Sequence, residues 1–125
     1  MVSASVVFPL LWAPTKTTFF ILIDNLRYDQ WKIINSLITE HFRLEEEDTF
    51  YSILPTTTAY SRNAIFSGML PIDIEKRFPA QWKNDDEEGG KNLNEEELFQ
   101  TQLRALGKTN LRFSYTKVLN NQAGL

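Results

Sequence analysis

The sequence predicts an α/β domain, a parallel or mixed sheet flanked by helices. Residues 17–23, Thr-Thr-Phe-Phe-Ile-Leu-Ile, form a continuous aromatic and β-branched run, as expected of a strand buried on both faces. Residues 28–42 then place Trp31, Ile34, Leu37 or Ile38, and His41 or Phe42 at helical spacing. Residues 48–54 read as a second strand and 58–67 as a second helix, an alternation that implies a βαβ unit with parallel strands.

Composition bounds what such a domain can do. The chain has 125 residues, 42% hydrophobic and 13% aromatic, enough for one modest globular domain. A formal net charge of -3 gives no clustered basic face for duplex nucleic acid. With no cysteine, disulfides and thiolate metal sites are excluded, and any metal must rest on carboxylates, hydroxyls or the single histidine, His41. No run reaches the roughly 18 apolar residues of a membrane span. The apolar start lacks a basic n-region and is broken by Pro9 and Pro14, which argues against a secretory signal. The expected location is the cytoplasm.

Taken in order, residues 1–16 fit neither template well. Within them Val6-Val7-Phe8-Pro9-Leu10-Leu11-Trp12 reads as a short edge strand or a docking segment, and this apolar leader is expected to be foreign to the domain at 17–125. The strand at 17–23 stops at Asp24-Asn25. Phe50 and Ile53 or Leu54 mark the second strand, which leads into Thr56-Thr57-Thr58. The helix at 58–67 is closed by Gly68 and followed by Pro71, which opens a short helix reaching Phe78. Residues 84–97 carry seven acids against one lysine, with Gly89-Gly90 between them, and read as a solvated loop running into a helix start. Asp85-Asp86-Glu87-Glu88 lacks the alternating ligands of an EF-hand. The helix continues through Leu98, Phe99, Gln102, Leu103 and Leu106 to Gly107. Residues 111–119 alternate apolar and polar side chains, as a strand with one solvated face does.

Functional groups of a parallel sheet gather at the carboxyl ends of its strands. Asp24 ends the first expected strand and the threonines end the second, so both are expected on one rim. A hydroxyl at a helix N-terminus can be an N-cap, a phosphate contact or an activated nucleophile. An aspartate beside it can hold a divalent cation that coordinates the threonine oxygen and lowers its pKa, half of a phosphoryl-transfer site.

Two motifs carry a family resemblance: Phe-Ile-Leu-Ile-Asp-Asn-Leu-Arg-Tyr-Asp-Gln-Trp at 20–31 and Leu-Pro-Thr-Thr-Thr-Ala-Tyr-Ser-Arg-Asn-Ala-Ile-Phe-Ser-Gly at 54–68. From about residue 17 to 125 the chain resembles the PglZ domain of the alkaline phosphatase superfamily, nearest to the C-terminal domain of PorX-like response regulators of type IX secretion. The resemblance implies zinc-dependent hydrolysis of phosphate esters, phosphodiesters such as nucleotides above all, in a two-component signalling protein. Carried over by position, Asp24 matches the first metal ligand and Thr58 the nucleophile and metal-bound oxygen, with Thr57 as runner-up in the threonine run. Arg62, four residues on, is placed to approach a substrate phosphate, with a structural salt bridge as the equal alternative. Asn25 is a further candidate for a phosphate contact. Arg27 and Asp29 read as a structural pair, and His41 matches no ligand motif.

The departures are as informative. Members of this superfamily hold two zinc ions with further Asp and His residues. Here no histidine follows His41 and no acid follows Glu97. The expectation is an N-terminal piece of such a domain with an incomplete metal site; the alternatives are that the missing ligands come from a homodimer mate or another chain, or that the chain is not catalytic. The rival from a different class is a non-catalytic regulatory or interaction module of a signalling protein. A third reading is an unrelated small α/β domain whose threonines only cap a helix.

Overall fold

A computed structural model describes residues 5–10, 17–83 and 92–118. The expected acidic loop at 84–91 and the last residues of the expected final strand lie outside these. The chain divides into two compact units, Met1–Ser61 and Arg62–Leu125, the division falling within one helix.

In the first unit, β1 (Ser5–Leu10) pairs antiparallel with β2 (Thr17–Leu22), Ser5 opposite Leu22 and Leu10 opposite Thr17. The edge strand expected near the N-terminus therefore exists, and it is the partner of the strand predicted at 17–23. The parallel arrangement expected from the βαβ pattern is not what the described residues show: their sheet is this antiparallel pair. Helix α1 (Tyr28–Thr39) occupies most of the predicted span. Its last turn tightens at Glu40 and His41, where the backbone N–H of His41 reaches the Ile38 carbonyl at 3.0 Å. The second predicted strand, 48–54, is irregular. Its apolar residues are displayed, with Tyr51 93% and Leu54 82% exposed. A strand needs a hydrogen-bonded neighbour as well as the right side chains, and this stretch has no ladder partner among the described residues.

Just ahead of that stretch, the Glu47 carboxylate ties the chain to α1. Glu47 accepts hydrogen bonds from Tyr28 Oη (2.9 Å), Trp31 Nε1 (2.9 Å) and Lys32 Nζ (2.6 Å). These donors sit at positions i, i+3 and i+4 of α1, the spacing that puts side chains on one face. The Lys32 ammonium also lies 5.0 Å from the centre of the Tyr28 ring.

Helix α2 (Thr58–Ser67) has the predicted bounds. In the second unit it is followed by α3 (Pro71–Arg77), with Pro71 opening the helix as expected, and by α4 (Glu95–Ala105). Gly68 ends α2 in the left-handed region (φ 67), its N–H bonded to the Ala64 carbonyl at 2.9 Å. Phe66, Ile74, Trp82 and Leu98 form the buried apolar set of this unit. Edge-to-face aromatic contacts extend it: Phe66 against Phe99 at 6.1 Å and Tyr115 at 5.8 Å, and Phe99 against Phe113 at 5.4 Å.

Residues 111–118 are irregular rather than the predicted strand. The alternation that suggested one is nevertheless real, because Phe113, Tyr115 and Lys117 are half-buried while their neighbours are exposed. Period two reports that one side of an extended chain packs against something, and here that something is helices. No helix among the described residues is long and apolar enough to cross a membrane.

Two stability predictions follow from these contacts. Lys32, Trp31 and Tyr28, in that order, hold the Glu47 carboxyl at about 2, against an ordinary 4.5. A pKa depressed in the folded state stabilises above the unfolded value, and that contribution disappears as pH falls through the folded value. The urea midpoint followed by tryptophan fluorescence should therefore drop between about pH 5 and about pH 2, and Glu47→Gln should flatten that part of the profile. At Gly68 an added Cβ would meet Gln102 Nε2 at 2.6 Å, and φ 67 disfavours any L side chain. Gly68→Ala should cost about 1–2 kcal/mol in chemical denaturation.

Candidate functional site

The chain leaves β2 through a turn at Asp24 and Asn25. Asn25 is in the left-handed region (φ 58), which asparagine tolerates because its short amide can bond the local backbone. Leu26 is buried immediately afterwards and fixes the exit of the turn. Arg27 then starts α1: its backbone N–H donates to Gln30 Oε1 at 3.0 Å, and its guanidinium pairs with Asp29 at 2.8 Å. The expected Arg27–Asp29 pair is present and exposed.

The threonines enter from the other side. The Thr57 carbonyl accepts the Ser61 N–H at 3.0 Å and the Ser61 hydroxyl at 3.0 Å. Thr57 is thus the residue whose carbonyl begins the helical ladder, and Thr58 is the first residue of α2. Ala59, next in the chain, is buried. The hydroxyl that faces the turn is that of Thr58: its Oγ1 donates to Asp24 Oδ2 at 3.4 Å, across 34 residues of sequence. Both residues are solvent-exposed. The structure therefore brings Asp24 and Thr58 together, with Asn25 beside Asp24 in the turn.

As a hydrogen bond between oxygens, 3.4 Å is long. As the separation of two ligands on one ion it is apt. Zinc–oxygen distances of about 2.0–2.2 Å imply a tetrahedron edge of about 3.3–3.6 Å. Asp24 and Thr58 thus fit two ligand positions of a divalent cation. Among the described residues no group of three or more His, Cys, Asp or Glu side chains could complete one. His41 is exposed at the end of α1.

Arg62 lies in the second unit with a different partner. Its Nε donates to Glu95 Oε1 at 2.5 Å and its Nη2 to Glu95 Oε2 at 2.8 Å, a two-pronged pair. The Arg62 side chain is 14% exposed and that of Glu95 0%. The Tyr115 hydroxyl also donates to Glu95 Oε2, and Lys117 Nζ approaches the same oxygen at 3.6 Å. Burial pushes the Glu95 carboxyl up, but the hydrogen bonds from Arg62 and Tyr115 and the charges of Arg62 and Lys117 outweigh it and hold the group below its ordinary value. Burial, then the Glu95 carboxylate, pushes the Tyr115 hydroxyl up to about 12. The salt-bridge alternative for Arg62 is the contact the structure contains.

Sequence reasoning took Glu95 as one of three acids opening a helix. The signal that singles it out is spacing. Glu95 shares a helix face with Leu98, which is buried, and with Gln102. Glu47, inside the run Glu45-Glu46-Glu47, carries no comparable sequence mark.

The chain belongs to the PglZ family: residues 2–124 match the family described as the BREX system PglZ alkaline phosphatase-like domain. Membership implies an α/β fold of the alkaline phosphatase type, in a family whose members are generally metal-dependent. No curated protein matches the chain.

Removing one partner of a buried ion pair leaves an uncompensated charge inside the protein. Glu95→Ala should accordingly lower the unfolding free energy by about 3–5 kcal/mol in urea titrations followed by circular dichroism. Tyr115→Phe, which deletes one neutral donor, should cost about 1 kcal/mol.

Proposed function

We propose that this chain is a phosphoester hydrolase domain, acting on phosphodiesters such as nucleotides, with Thr58 as the nucleophile. The observation that carries the reading is the approach of Thr58 Oγ1 to Asp24 Oδ2, 3.4 Å apart and both exposed, at the first residue of a helix. A helix start favours negative charge, because its first backbone N–H groups point outward without intrahelical acceptors. A phosphoryl group placed there has its oxygens near those donors and its phosphorus near the hydroxyl.

In this reading the Thr58 hydroxyl gives its proton to solvent water as Oγ attacks phosphorus in line; the Oγ–P bond forms, and the bond to the leaving oxygen breaks with its electron pair. Asp24 orients the hydroxyl from the strand side and accepts its hydrogen bond. Asn25, held in the same turn, is the proposed contact for a non-bridging oxygen. Water then attacks the phosphothreonine, releasing the phosphate product and restoring the hydroxyl. A divalent ion, zinc in this proposal, with Asp24 and Thr58 among its ligands, would supply the lowered hydroxyl pKa. The kinship with PorX-like response regulators, and with it a cytoplasmic two-component setting, belongs to this same proposal.

One observation favours a second reading. The described residues bring two metal-capable oxygens together and no group of three or more acidic, histidine or cysteine side chains. A non-catalytic interaction module of a signalling protein would need no more than that.

Hydrolysis of bis(4-nitrophenyl) phosphate by the purified chain with zinc separates the two. The hydrolase reading expects zinc-dependent turnover that falls by on the order of 10³-fold or more in Thr58→Ala and by about 10²-fold or more in Asp24→Asn. Zinc-independent release, or rates equal in wild type and Thr58→Ala, would leave the interaction module as the reading.

A further inference from the structure

We propose that Glu47 is a positioning residue for the Asp24–Thr58 pair, tying the helix that follows Asp24 to the stretch that leads to Thr58; the inference rests on the hydrolase reading above. The buried apolar residues described in the first unit are Leu26, Trp31 and Ala59. Leu26 lies two residues past Asp24, and Ala59 directly follows Thr58. The pair thus has a buried neighbour on each side. Trp31 is by far the largest of the three, and it is 4% exposed. Its indole N–H is a donor that a buried ring must satisfy. Glu47 Oε2 does so at 2.9 Å, and that bond selects one orientation of the ring.

The same carboxylate ties together two chain segments that flank the pair. Its donors Tyr28, Trp31 and Lys32 stand on the helix that leaves the Asp24 turn, while Glu47 itself belongs to the irregular stretch that leads to Thr58. An ordinary surface ion pair contributes little, since solvent screens it and long side chains must be ordered to make it. This one differs in that one of its donors is a buried aromatic. Glutamine in its place offers one acceptor oxygen to three donors and turns two N–H groups toward them. The ring, the loop and the threonine behind it then lose a common reference.

The test compares wild type, Glu47→Gln, Tyr28→Phe and Thr58→Ala, each as the full chain. Two readouts are taken: steady-state hydrolysis of bis(4-nitrophenyl) phosphate with zinc, and the Thr58 methyl resonance without zinc, assigned by its loss in Thr58→Ala. The expected result for Glu47→Gln is a folded protein by circular dichroism with kcat about tenfold lower, KM within about twofold, and a displaced Thr58 resonance. Tyr28→Phe should move both readouts the same way and less. A general loss of folded protein would not split kcat from KM or shift one methyl signal.

If kcat and the resonance are both unchanged in Glu47→Gln while Thr58→Ala abolishes turnover, the inference is overturned and the hydrolase reading stands. If no Thr58-dependent turnover exists even in wild type, the hydrolase reading falls. The resonance alone then decides the positioning: displacement supports it and constancy overturns it. Should Glu47→Gln fail to fold, Tyr28→Phe carries the same two readouts.

Discussion

A carboxylate with no exposure to water sets the terms for the second unit. Glu95 is fully buried at the start of α4, and an ionised group there is tolerable only when it is paired and fully hydrogen-bonded. The demand is met by three residues from two stretches: Arg62 from α2, and Tyr115 and Lys117 from the irregular stretch near 111–118. Arg62 and Tyr115 are held in turn by packing. The Arg62 guanidinium lies 5.9 Å from the Phe66 ring, and Tyr115 meets the same ring edge-on. The aromatic contacts and the ion pair are therefore one construction, since removing the charge pairing would unseat residues that also fill the apolar interior. That also explains how residues 111–118 are placed without a ladder. Their fixed points are side chains.

The first unit applies the same physics with less burial. Glu47 gathers its donors from one face of α1, and the partly screened site still favours the ionised carboxylate strongly enough to hold its pKa at about 2. The reactive pair sits where two buried residues, Leu26 and Ala59, anchor backbone that is otherwise exposed. A surface site can be geometrically defined in this way without itself being buried. Accessibility of Asp24 and Thr58 to a substrate and fixity of their backbones then coexist.

What the sequence made legible was whatever is decided locally. The helices at 28–39, 58–67, 71–77 and 95–105 followed from apolar spacing, Pro71 at a helix start and glycines at helix ends, and Gly68 and Gly107 both take positive φ. The strand at 17–22 was also legible, because its run of aromatic and β-branched residues is self-contained evidence. The partner of that strand was not, since pairing is a non-local choice. Residues 48–54 and 111–118 show the limit from the other side: both carry strand-like side chains, and neither has a ladder among the described residues. In the candidate site, Asp24 could be named from its place at a strand end, and Thr58 within the threonine run from the resemblance to the PglZ family. Glu95 and Glu47 could not, because their roles come from partners 15 to 33 residues away.

The chemistry of the Asp24–Thr58 pair follows from what two oxygens can and cannot do. A hydroxyl is a poor nucleophile while it keeps its proton, and a free carboxylate is far too weak a base to remove it outright. A metal ion changes the scale: bound water falls from a pKa of about 15.7 to about 7 on zinc. Two donors do not retain such an ion against water, whereas three or four do. A catalytic site of this kind is consequently a two-part construction. In the proposed hydrolase one part is a strand-end carboxylate and a helix-start hydroxyl at the edge length of a coordination tetrahedron, the separation at which Asp24 and Thr58 stand. The other is a further set of carboxylate or imidazole groups, and the described residues bring no such cluster together. The exposure of Asp24 and Thr58, otherwise a weakness in a site meant to exclude water, is what leaves room for them.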